Sequence, residues 1–303
     1  MSIEKPLLKW IGGKSQLLDT LLCNFPRKIK NYHEIFLGGG SIILALLSYI
    51  NSGKIEVRGE LHCYDINKTL ISFYNNVKNN PSSLISELNI LKNIFISLED
   101  HTDETRNIKP SNIEEAMSNR ESYYFWIRKK YNDMSDDDRS SVLGSAYFLF
   151  LNKTCFRGVH RVGPNGFNVP YGNYKNPEIY NEEHILNVSI LIQRVNFHHM
   201  SYKDSISNVK KGDFVYLDPP YVPINKLSFD SYNVDGFSND NHKELFLMCD
   251  QMKHNKVKFI MSNSNTDMVL EHFKDYNVIK VHAKRSINSK NPESTETEVI
   301  IIN

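Results

Sequence analysis

Paired cysteines and long apolar runs are both missing from this sequence. Its four cysteines are far apart along 303 residues, at Cys23, Cys63, Cys155 and Cys249. No C-x-x-C spacing occurs, which argues against a zinc site built on cysteine pairs and against a disulfide framework. No apolar run reaches the roughly 18 residues of a membrane span, and the first residues lack the apolar core of a signal peptide. We therefore expect a soluble protein without a membrane partner, located in the cytoplasm or at the nucleoid, or inside a host cell if the chain is viral.

An excess of charge of one sign is also missing, since 36 lysines and arginines face 35 aspartates and glutamates. Recognition of a polyanion would therefore depend on local patches of charge. What is present is a hydrophobic content of 40% with 11% aromatic residues, enough for a substantial core. The length suits one large α/β domain or one domain that carries an insertion.

The order of patterns along the chain predicts an interrupted α/β sheet. Residues 32–47 have the pattern of a strand, a glycine turn and an apolar helix, and 60–67 that of a second strand ending in an acid. Residues 68 to about 150 have mostly helical patterns, and strands return after about 184. We expect a catalytic core of residues 1–67 and 185–303 with an inserted target-recognition domain at 68–184.

The stretch KWIGGKSQLL at residues 9–18 resembles the end of a phosphate-binding P-loop. A P-loop reads G-x-x-x-x-G-K-[ST] and follows a buried strand. The position of its first glycine is occupied here by Leu8, and few residues precede it in this sequence. The pattern therefore argues against a nucleotide triphosphatase.

Two features predict a cofactor at the carboxyl ends of the first strands. Phe36 and the glycines Gly38, Gly39 and Gly40 follow the first strand, where glycine lets the backbone approach a ligand closely. Asp65 ends the second strand and could accept hydrogen bonds from a ribose diol. This pair fits nicotinamide, flavin and S-adenosylmethionine equally well, and Asp65 could alternatively serve as a turn or capping residue.

The sequence Asp218-Pro219-Pro220-Tyr221 follows the apolar strand FVYL. Two prolines cannot continue a central strand, so they fix a turn in which the Asp218 carboxylate and the Pro219 carbonyl can face one amino group. Such a pair of acceptors suits an exocyclic amino group with two N–H bonds, for example adenine N6. The lone pair of that nitrogen is delocalised into the ring, which makes it a poor nucleophile. Two acceptors that bind both hydrogens favour a tetrahedral nitrogen with a localised lone pair. Tyr221 could stack on the base.

Taken together, LLKWIGGK, FLGGGS, YDIN, CFRGVHRV, GFNVPYG, YLDPPY and MSNSNT resemble the successive motifs of Dam-type (class D12, alpha-group) DNA adenine-N6 methyltransferases. The resemblance runs from about residue 5 to the end. It implies a Rossmann-like class I S-adenosylmethionine-dependent methyltransferase core with a helical and β-hairpin insertion. It also implies a site-specific enzyme that flips an adenine out of double-stranded DNA, methylates it with S-adenosyl-L-methionine, releases S-adenosyl-L-homocysteine and needs no metal. Nothing indicates an obligate protein partner.

The resemblance also assigns residues. The implied catalytic residues are Asp218, Pro219 and Tyr221. The implied cofactor-binding residues are Trp10, Gly12, Lys14, Phe36, Gly38, Gly39, Asp65, Tyr202, Asp204 and Asp218. The implied DNA-binding residues are Lys9, Lys153, Phe156, Arg157, Arg161, Asn168 and Pro170.

Residues 151–177 carry basic and aromatic side chains and no acid. Such cations contact phosphates, arginine can bind guanine in the major groove, and an aromatic can fill the gap of a flipped base. By the resemblance, Phe156 is the inserted side chain and Arg161 contacts a base. Arg157 stands where many relatives have asparagine, which places in question the family's familiar GATC target, so a related short site is equally expected.

Three further observations complete the predictions. A second basic stretch, 278–291, carries Lys280, Lys284, Arg285 and Lys290 and could bind phosphates. His198 and His199 are interpreted as strand-end residues, because no third metal ligand is suitably spaced. Residues 262–265 are expected in a structural loop near the target base.

The alternatives to a DNA adenine methyltransferase are methylation of cytosine N4, an RNA base or a protein amide, or a DNA-binding protein without catalysis.

Overall fold

The computed structural model describes residues 3–14, 16–100, 106–223, 237–284 and 295–303. Its strands are β1 (Lys28–Ile29), β2 (Tyr32–Glu34), β3 (Glu56–Val57), β4 (Leu61–Asp65), β5 (Val162–Gly163), β6 (Gly166–Phe167), β7 (Val195–His199), β8 (Phe214–Leu217), β9 (Lys258–Ser264), β10 (Asn277–Lys284) and β11 (Thr295–Ile302). Its helices are α1 (Leu18–Cys23), α2 (Ser41–Asn51), α3 (Lys68–Asn79), α4 (Pro81–Ser97), α5 (Ile113–Ala116), α6 (Arg120–Asp133), α7 (Asp136–Arg139), α8 (Val142–Thr154), α9 (Glu182–Leu191), α10 (Tyr202–Ser207), α11 (Asn239–His254) and α12 (Asp267–His272).

Among the described residues, the central sheet has seven strands in the order β10-β11-β9-β8-β2-β4-β7. The five strands from β9 to β7 pair in parallel, whereas β11 lies antiparallel between β9 and β10. The chain leaves β2 for β4 on one side and later enters β8 on the other. In an α/β sheet, ligands bind beyond the carboxyl ends of the strands at such a reversal. The fold class predicted from the sequence, a Rossmann-like α/β sheet, is confirmed.

Both faces of the sheet are covered, which explains the continuous apolar runs in the strands. In β8, Phe214 and Tyr216 pack into one hydrophobic cluster, while Val215 and Leu217 pack into the other. Because successive side chains of a strand point to opposite faces, every residue of FVYL is buried. This packing fixes where the strand ends and hence where Asp218 begins the turn.

In the described part of this span, six helices, α3 to α8, and the short hairpin β5–β6 connect β4 to α9 and β7. The helices begin at polar caps, as in α6, where the Asn119 side chain accepts a hydrogen bond from the Ser122 amide, and in α8, where Ser141 accepts from Gly144. Asp136, Asp137 and Asp138 form the first turn of α7, where acidic side chains complement the helix dipole. The prediction of a mainly helical insertion that ends in a hairpin is confirmed.

One local prediction is wrong. Residues 262–264 do not form a loop, because Ser262, Asn263 and Ser264 are the last three residues of β9. All three are buried, since they pair with β11 on one side and lie beside the turn that follows β8.

Candidate active site and DNA-binding surface

The glycine turn after β2 lies against the indole of Trp10. A Cβ atom on Gly39 would lie 2.8 Å from the Trp10 Cβ atom, and one on Gly38 would lie 3.2 Å from Trp10 Cδ1. Gly40 has a φ of 75° and caps α2, while the Tyr74 hydroxyl donates to the Gly39 carbonyl at 2.6 Å. Only glycine permits this close approach and this backbone conformation.

Asp65 lies at the same edge, directly beside the glycine turn. Its Oδ2 atom accepts a hydrogen bond from the Gly38 amide at 3.0 Å, and its Oδ1 atom accepts from the Asn67 amide at 2.9 Å. Burial raises the pKa of Asp65 above its usual value, although these two hydrogen bonds favour the ionised form. Each oxygen of a carboxylate has a second lone pair, so Asp65 retains acceptor capacity for a ligand.

Asp218 stands at the carboxyl end of β8 and forms an ion pair with Lys14. The Lys14 Nζ atom lies 2.9 Å from Asp218 Oδ2 and also donates to the Gly12 carbonyl at 2.8 Å. The other carboxylate oxygen, Oδ1, is buried and has no hydrogen-bond partner among the described residues. Burial raises the pKa of Asp218, while the Lys14 charge and hydrogen bond oppose that rise.

Tyr221 completes the turn and lies close to the same lysine. Lys14 Nζ is 4.8 Å from the centre of the Tyr221 ring, a cation–π distance. The Tyr221 hydroxyl donates to Glu298 Oε2 at 2.7 Å. Burial and the carboxylates of Asp218 and Glu298 raise the pKa of Tyr221 well above its usual value. The phenol is therefore neutral and serves as a hydrogen-bond donor.

The end of β9 holds the residue that follows Tyr221. Asn263 Oδ1 accepts from the Val222 amide at 3.1 Å, and the Ser264 hydroxyl donates to the Val222 carbonyl at 2.6 Å. The Nδ2 atom of Asn263 is buried without a hydrogen-bond partner among the described residues. Sequence reasoning assigned these residues no role. The signal that could have identified them is a run of polar residues inside a strand that is otherwise apolar.

Three aromatic rings cluster where Phe36 leaves β2. Phe36 and Tyr202 stack with ring centres 6.0 Å apart, and Phe237 lies 6.0 Å from Phe36 and 5.2 Å from Tyr202. The Tyr202 hydroxyl donates to Glu244 Oε2 at 3.1 Å. Phe237, which sequence reasoning missed, lies just before α11 and contacts both rings.

Asp204 has a different environment from its neighbour Tyr202. It is exposed in the first turn of α10. Its Oδ2 atom accepts from the Ser201 hydroxyl at 2.7 Å, and the Ser201 oxygen accepts from the Asp204 amide at 3.2 Å. This arrangement is a helix cap, which accounts for an acid at this position without a ligand.

The residues expected to contact DNA lie near the N-terminal stretch. Lys9 Nζ is 4.5 Å from the centre of the Tyr174 ring, and the Tyr174 hydroxyl accepts from the Arg157 amide at 2.7 Å. Gly158 lies so close to Lys9 that a Cβ atom there would be 2.5 Å from the Lys9 Cβ atom. Arg157 has a φ of 56°, a left-handed conformation that asparagine tolerates better than arginine does.

The hairpin itself is held by α6 and presents polar side chains to solvent. Asn132 of α6 donates to the Phe167 carbonyl at 3.0 Å and accepts from the Phe167 amide at 2.8 Å. Arg161 and Asn168 are exposed, and Arg161 Nε donates to Asn168 Oδ1 at 2.6 Å. The α6 helix therefore fixes the hairpin while its tip stays accessible.

The remaining residues of this group differ in exposure. Phe156 is 48% exposed, which is unusual for a phenylalanine, and Pro170 is exposed while its carbonyl accepts from the Phe156 amide at 2.8 Å. Lys153 is half-buried, and burial and the nearby Lys9 lower its pKa whereas Glu178 raises it. Lys153 is therefore less open to solvent than the other predicted contacts.

Of the second basic stretch, Lys280 is exposed on β10, whereas the Lys284 side chain, Arg285 and Lys290 lie outside the described residues. His198 and His199 end β7, as predicted, and the described residues contain no group of three or more potential metal ligands. Within the described ranges, no helix combines the length and apolarity that crossing a bilayer requires.

Comparison with known proteins connects this geometry to a family. The family model for D12 class N6 adenine-specific DNA methyltransferases matches residues 10–287. The chain belongs to this family. It is an adenine-specific DNA methyltransferase, and the match includes the glycine turn, Asp65 and the Asp218–Tyr221 turn.

Named relatives align along nearly the whole chain. The type II methyltransferase M.MjaIII of Methanocaldococcus jannaschii is 36% identical over 309 residues, covering 99% of both chains. The type II methyltransferase M1.LlaDCHI of Lactococcus lactis subsp. cremoris is 32% identical, covering 99% of this chain and 95% of its own. A DNA adenine methylase of Salmonella typhi is 29% identical, covering 95% of this chain and 91% of its own. The methyltransferase therefore shares both the core and the insertion with these relatives.

Proposed function

We propose that this enzyme transfers a methyl group from S-adenosylmethionine to adenine N6 within a short duplex DNA sequence. The observation that carries the proposal is the asymmetry of the Asp218 carboxylate. Lys14 holds Oδ2 at 2.9 Å, whereas Oδ1 is buried with no hydrogen-bond partner among the described residues. A buried acceptor without a donor is costly, so a donor from a ligand is expected there. An exocyclic amino group supplies that donor.

The residues near the glycine turn fit S-adenosylmethionine. Phe36 and Tyr202 offer aromatic faces for its adenine, and the spare acceptor capacity of Asp65 suits its ribose hydroxyls. Trp10 and the open backbone of Gly38 and Gly39 would border the cofactor. When bound, S-adenosylmethionine supplies an electrophilic methyl group on a sulfonium. Gly12, Lys14 and Asp218 would face its methionine end, and Asp204 would lie beyond its adenine.

The turn after β8 prepares the amino group of the target base. Asp218 Oδ1 and the Pro219 carbonyl would each accept one N6 hydrogen, which orients the nitrogen and localises its lone pair. Lys14 favours the ionised form of Asp218 and fixes the plane of its carboxylate through Oδ2. Tyr221 would stack on the flipped base, on the ring face opposite Lys14. The raised pKa of Asp218 also suits this carboxylate to take the proton that N6 loses after methylation.

The surface formed by Lys9 and the 151–177 region would bind the duplex. Arg161 and Asn168, exposed at the hairpin, would contact base edges, and Phe156 would fill the gap left by the flipped adenine. Lys153, Arg157 and Pro170 would support the same surface. We propose that residues 1–67 and 185–303 form the catalytic part and that 68–184 recognise the target. The target is GATC or a related short site.

The test uses purified protein, tritiated S-adenosylmethionine and unmethylated genomic DNA, followed by nucleoside analysis. Parallel reactions use short duplexes that contain GATC or its scrambled sequence. Asp218→Ala should abolish transfer and leave cofactor binding within about threefold, because the glycine turn and Asp65 remain. Asp240→Ala is the matched control, since the Asp240 side chain is 94% exposed at the start of α11.

Label recovered as N6-methyladenine supports the proposal, and the duplexes then show whether GATC is the site. Label recovered as N4-methylcytosine, or only from RNA or protein, would overturn the assignment of adenine. DNA binding without any transfer would indicate a protein that kept the fold and lost catalysis. Full turnover by Asp218→Ala would refute the proposed role of the carboxylate.

A further inference from the structure

The hydroxyl of Tyr221 is anchored far from its own turn. It donates to Glu298 Oε2 at 2.7 Å, across 77 positions of sequence. Glu298 lies on β11, which runs antiparallel between β9 and β10. The catalytic turn after β8 is therefore connected to a strand that is not its neighbour in the sheet.

Glu298 acts beside two other contacts to the same segment. It pairs in register with Ser264 of β9, and Ser264 donates to the Val222 carbonyl at 2.6 Å. Asn263 Oδ1 accepts from the Val222 amide at 3.1 Å. Residues 221 and 222 are thus held at one side chain and two backbone groups. Among the described residues, the Glu298 carboxylate is the acceptor for the Tyr221 hydroxyl and so helps to fix the orientation of its ring.

Fixing that ring matters because a flipped base is held largely by stacking. Lys14 lies 4.8 Å from the centre of the Tyr221 ring, so the ring also has a cation at one face. A phenol whose hydroxyl has lost its acceptor can rotate, and its ring no longer presents one defined plane. A hydrogen bond to a carboxylate is among the stronger anchors available to a phenol.

We infer that Glu298 is a positioning residue for the target base, which holds the Tyr221 ring as the platform on which the flipped adenine stacks. This inference rests on the proposed function of the Asp218–Tyr221 turn. Glu298 is not a catalytic residue, because it acts through Tyr221. Its loss should therefore affect base flipping and turnover more than cofactor binding.

The experiment compares Glu298→Ala, Glu298→Gln, Tyr221→Phe and the double variant Glu298→Ala/Tyr221→Phe. The control is Glu271→Ala, because Glu271 is exposed on α12. The methylated sequence is first identified by sequencing DNA treated with the wild-type enzyme. The readouts are kcat, the dissociation constant of S-adenosylhomocysteine, and the fluorescence of 2-aminopurine placed at the target position. Thermal unfolding verifies that each variant is folded.

We expect Glu298→Ala to lower kcat about tenfold and to reduce the flipping signal, since one hydrogen bond to a charged group is lost. Glu298→Gln should recover part of both, because its amide oxygen still accepts. The double variant should lose no more than Tyr221→Phe alone, since both changes remove the same contact. Affinity for S-adenosylhomocysteine should stay within twofold throughout.

Wild-type kcat and flipping in Glu298→Ala would overturn the inference, as would losses that multiply in the double variant. If Glu298→Ala is unfolded at the assay temperature, Tyr221→Phe still decides, because unchanged flipping there would show that the hydroxyl anchor is not needed. Failure of the wild-type enzyme to methylate DNA would instead refute the proposed function. The two failures are therefore distinguishable.

Discussion

The backbone of Lys9 and the side chain of Asn152 form a reciprocal pair of hydrogen bonds. The Lys9 amide donates to Asn152 Oδ1 at 2.8 Å, and Asn152 Nδ2 donates to the Lys9 carbonyl at 2.8 Å. The same Nδ2 atom donates to the Gly158 carbonyl at 3.2 Å. One buried amide at the end of α8 thus connects the N-terminal stretch, which leads to Trp10 and Lys14, to the segment before the hairpin.

Replacing Asn152 by aspartate should weaken this connection without a change of size. Aspartate cannot donate when ionised, so the carbonyls of Lys9 and Gly158 lose their donor. We expect kcat/KM for DNA to fall about tenfold or more, from the loss of buried hydrogen bonds. Asn181→Asp is the matched control, because among the described residues the Asn181 side chain serves as an acceptor, for the His184 amide at the start of α9. Equal activity of the two variants would contradict the proposed connection.

The Lys14–Asp218 pair predicts a pH effect. In the proposed mechanism Asp218 must be ionised to accept from N6, so activity should be lost as the pH falls through its raised pKa. Removing the cation in Lys14→Met should raise that pKa further, because the Lys14 charge and hydrogen bond favour the ionised carboxylate. The acidic limb of the kcat/KM profile should therefore move to higher pH. If Lys14→Met lowers kcat/KM but leaves the acidic limb of its pH profile where it is in the wild-type enzyme, Lys14 acts in cofactor binding alone.

Two glycines near Trp10 give a matched pair of substitutions. In Gly39→Ala the new Cβ atom would meet the Trp10 Cβ at 2.8 Å, whereas in Gly13→Ala the nearest atom is the Trp10 carbonyl at 3.5 Å, an ordinary contact. Overpacking costs roughly 1–3 kcal/mol, so Gly39→Ala should weaken binding of S-adenosylhomocysteine about 5-fold to 150-fold. Gly13→Ala should change it less than threefold. Calorimetric titration of both variants distinguishes them, and equal affinities would exclude crowding at Trp10 as the cause.

His33 predicts a loss of stability in acid. This residue lies in β2, with Nδ1 3.1 Å from the Tyr64 hydroxyl and Nε2 3.3 Å from Asp213 Oδ2, and its ring stacks on that of His62. Burial lowers the pKa of His33 to about 4, and the neighbouring His62 adds to this, although Asp213 opposes it. The unfolded chain therefore binds a proton that the folded chain rejects, and stability falls as the pH drops below the ordinary pKa of histidine.

For His33 alone, this linkage amounts to about 2 kcal/mol between pH 6.5 and pH 5. We expect denaturant unfolding of the wild-type protein to show at least this loss, since His160 and His242 have pKa values lowered to about 4 by the same cause. His33→Asn should be less stable at pH 7 and should lose less stability on acidification. An equally steep pH dependence in this variant would assign the effect to the other histidines.

The features that the sequence predicts are those fixed locally. Two prolines after FVYL must end a buried strand, so the Asp218 turn could be located without a structure. Glycines and an acid at successive strand ends indicate one ligand edge, and Asp65 does lie beside Gly38. These inferences need only strand direction and the conformational limits of proline and glycine.

The features that remained hidden depend on contacts between distant residues. Asn152 lies in an apolar helix, 143 positions from Lys9, and nothing in its neighbourhood indicates that partner. Phe237 is far from Phe36 along the chain, and its place beside that ring depends on tertiary contacts such as those with Tyr202 and His242. The polar residues at the end of β9 predict a loop, because their buried partner Val222 lies 41 and 42 positions away in the sequence and nothing near them indicates it.

The last strand of the sheet has a consequence for the biogenesis of the enzyme. Residues 9–14 bring Trp10 and Lys14 to the site, while Glu298 arrives on β11. A nascent chain that has emerged only as far as Tyr221 contains the Asp218–Tyr221 turn but lacks β9 and β11, which contact Tyr221 and Val222. The contacts that support the Tyr221 turn are therefore complete only once the chain has been synthesised past Glu298.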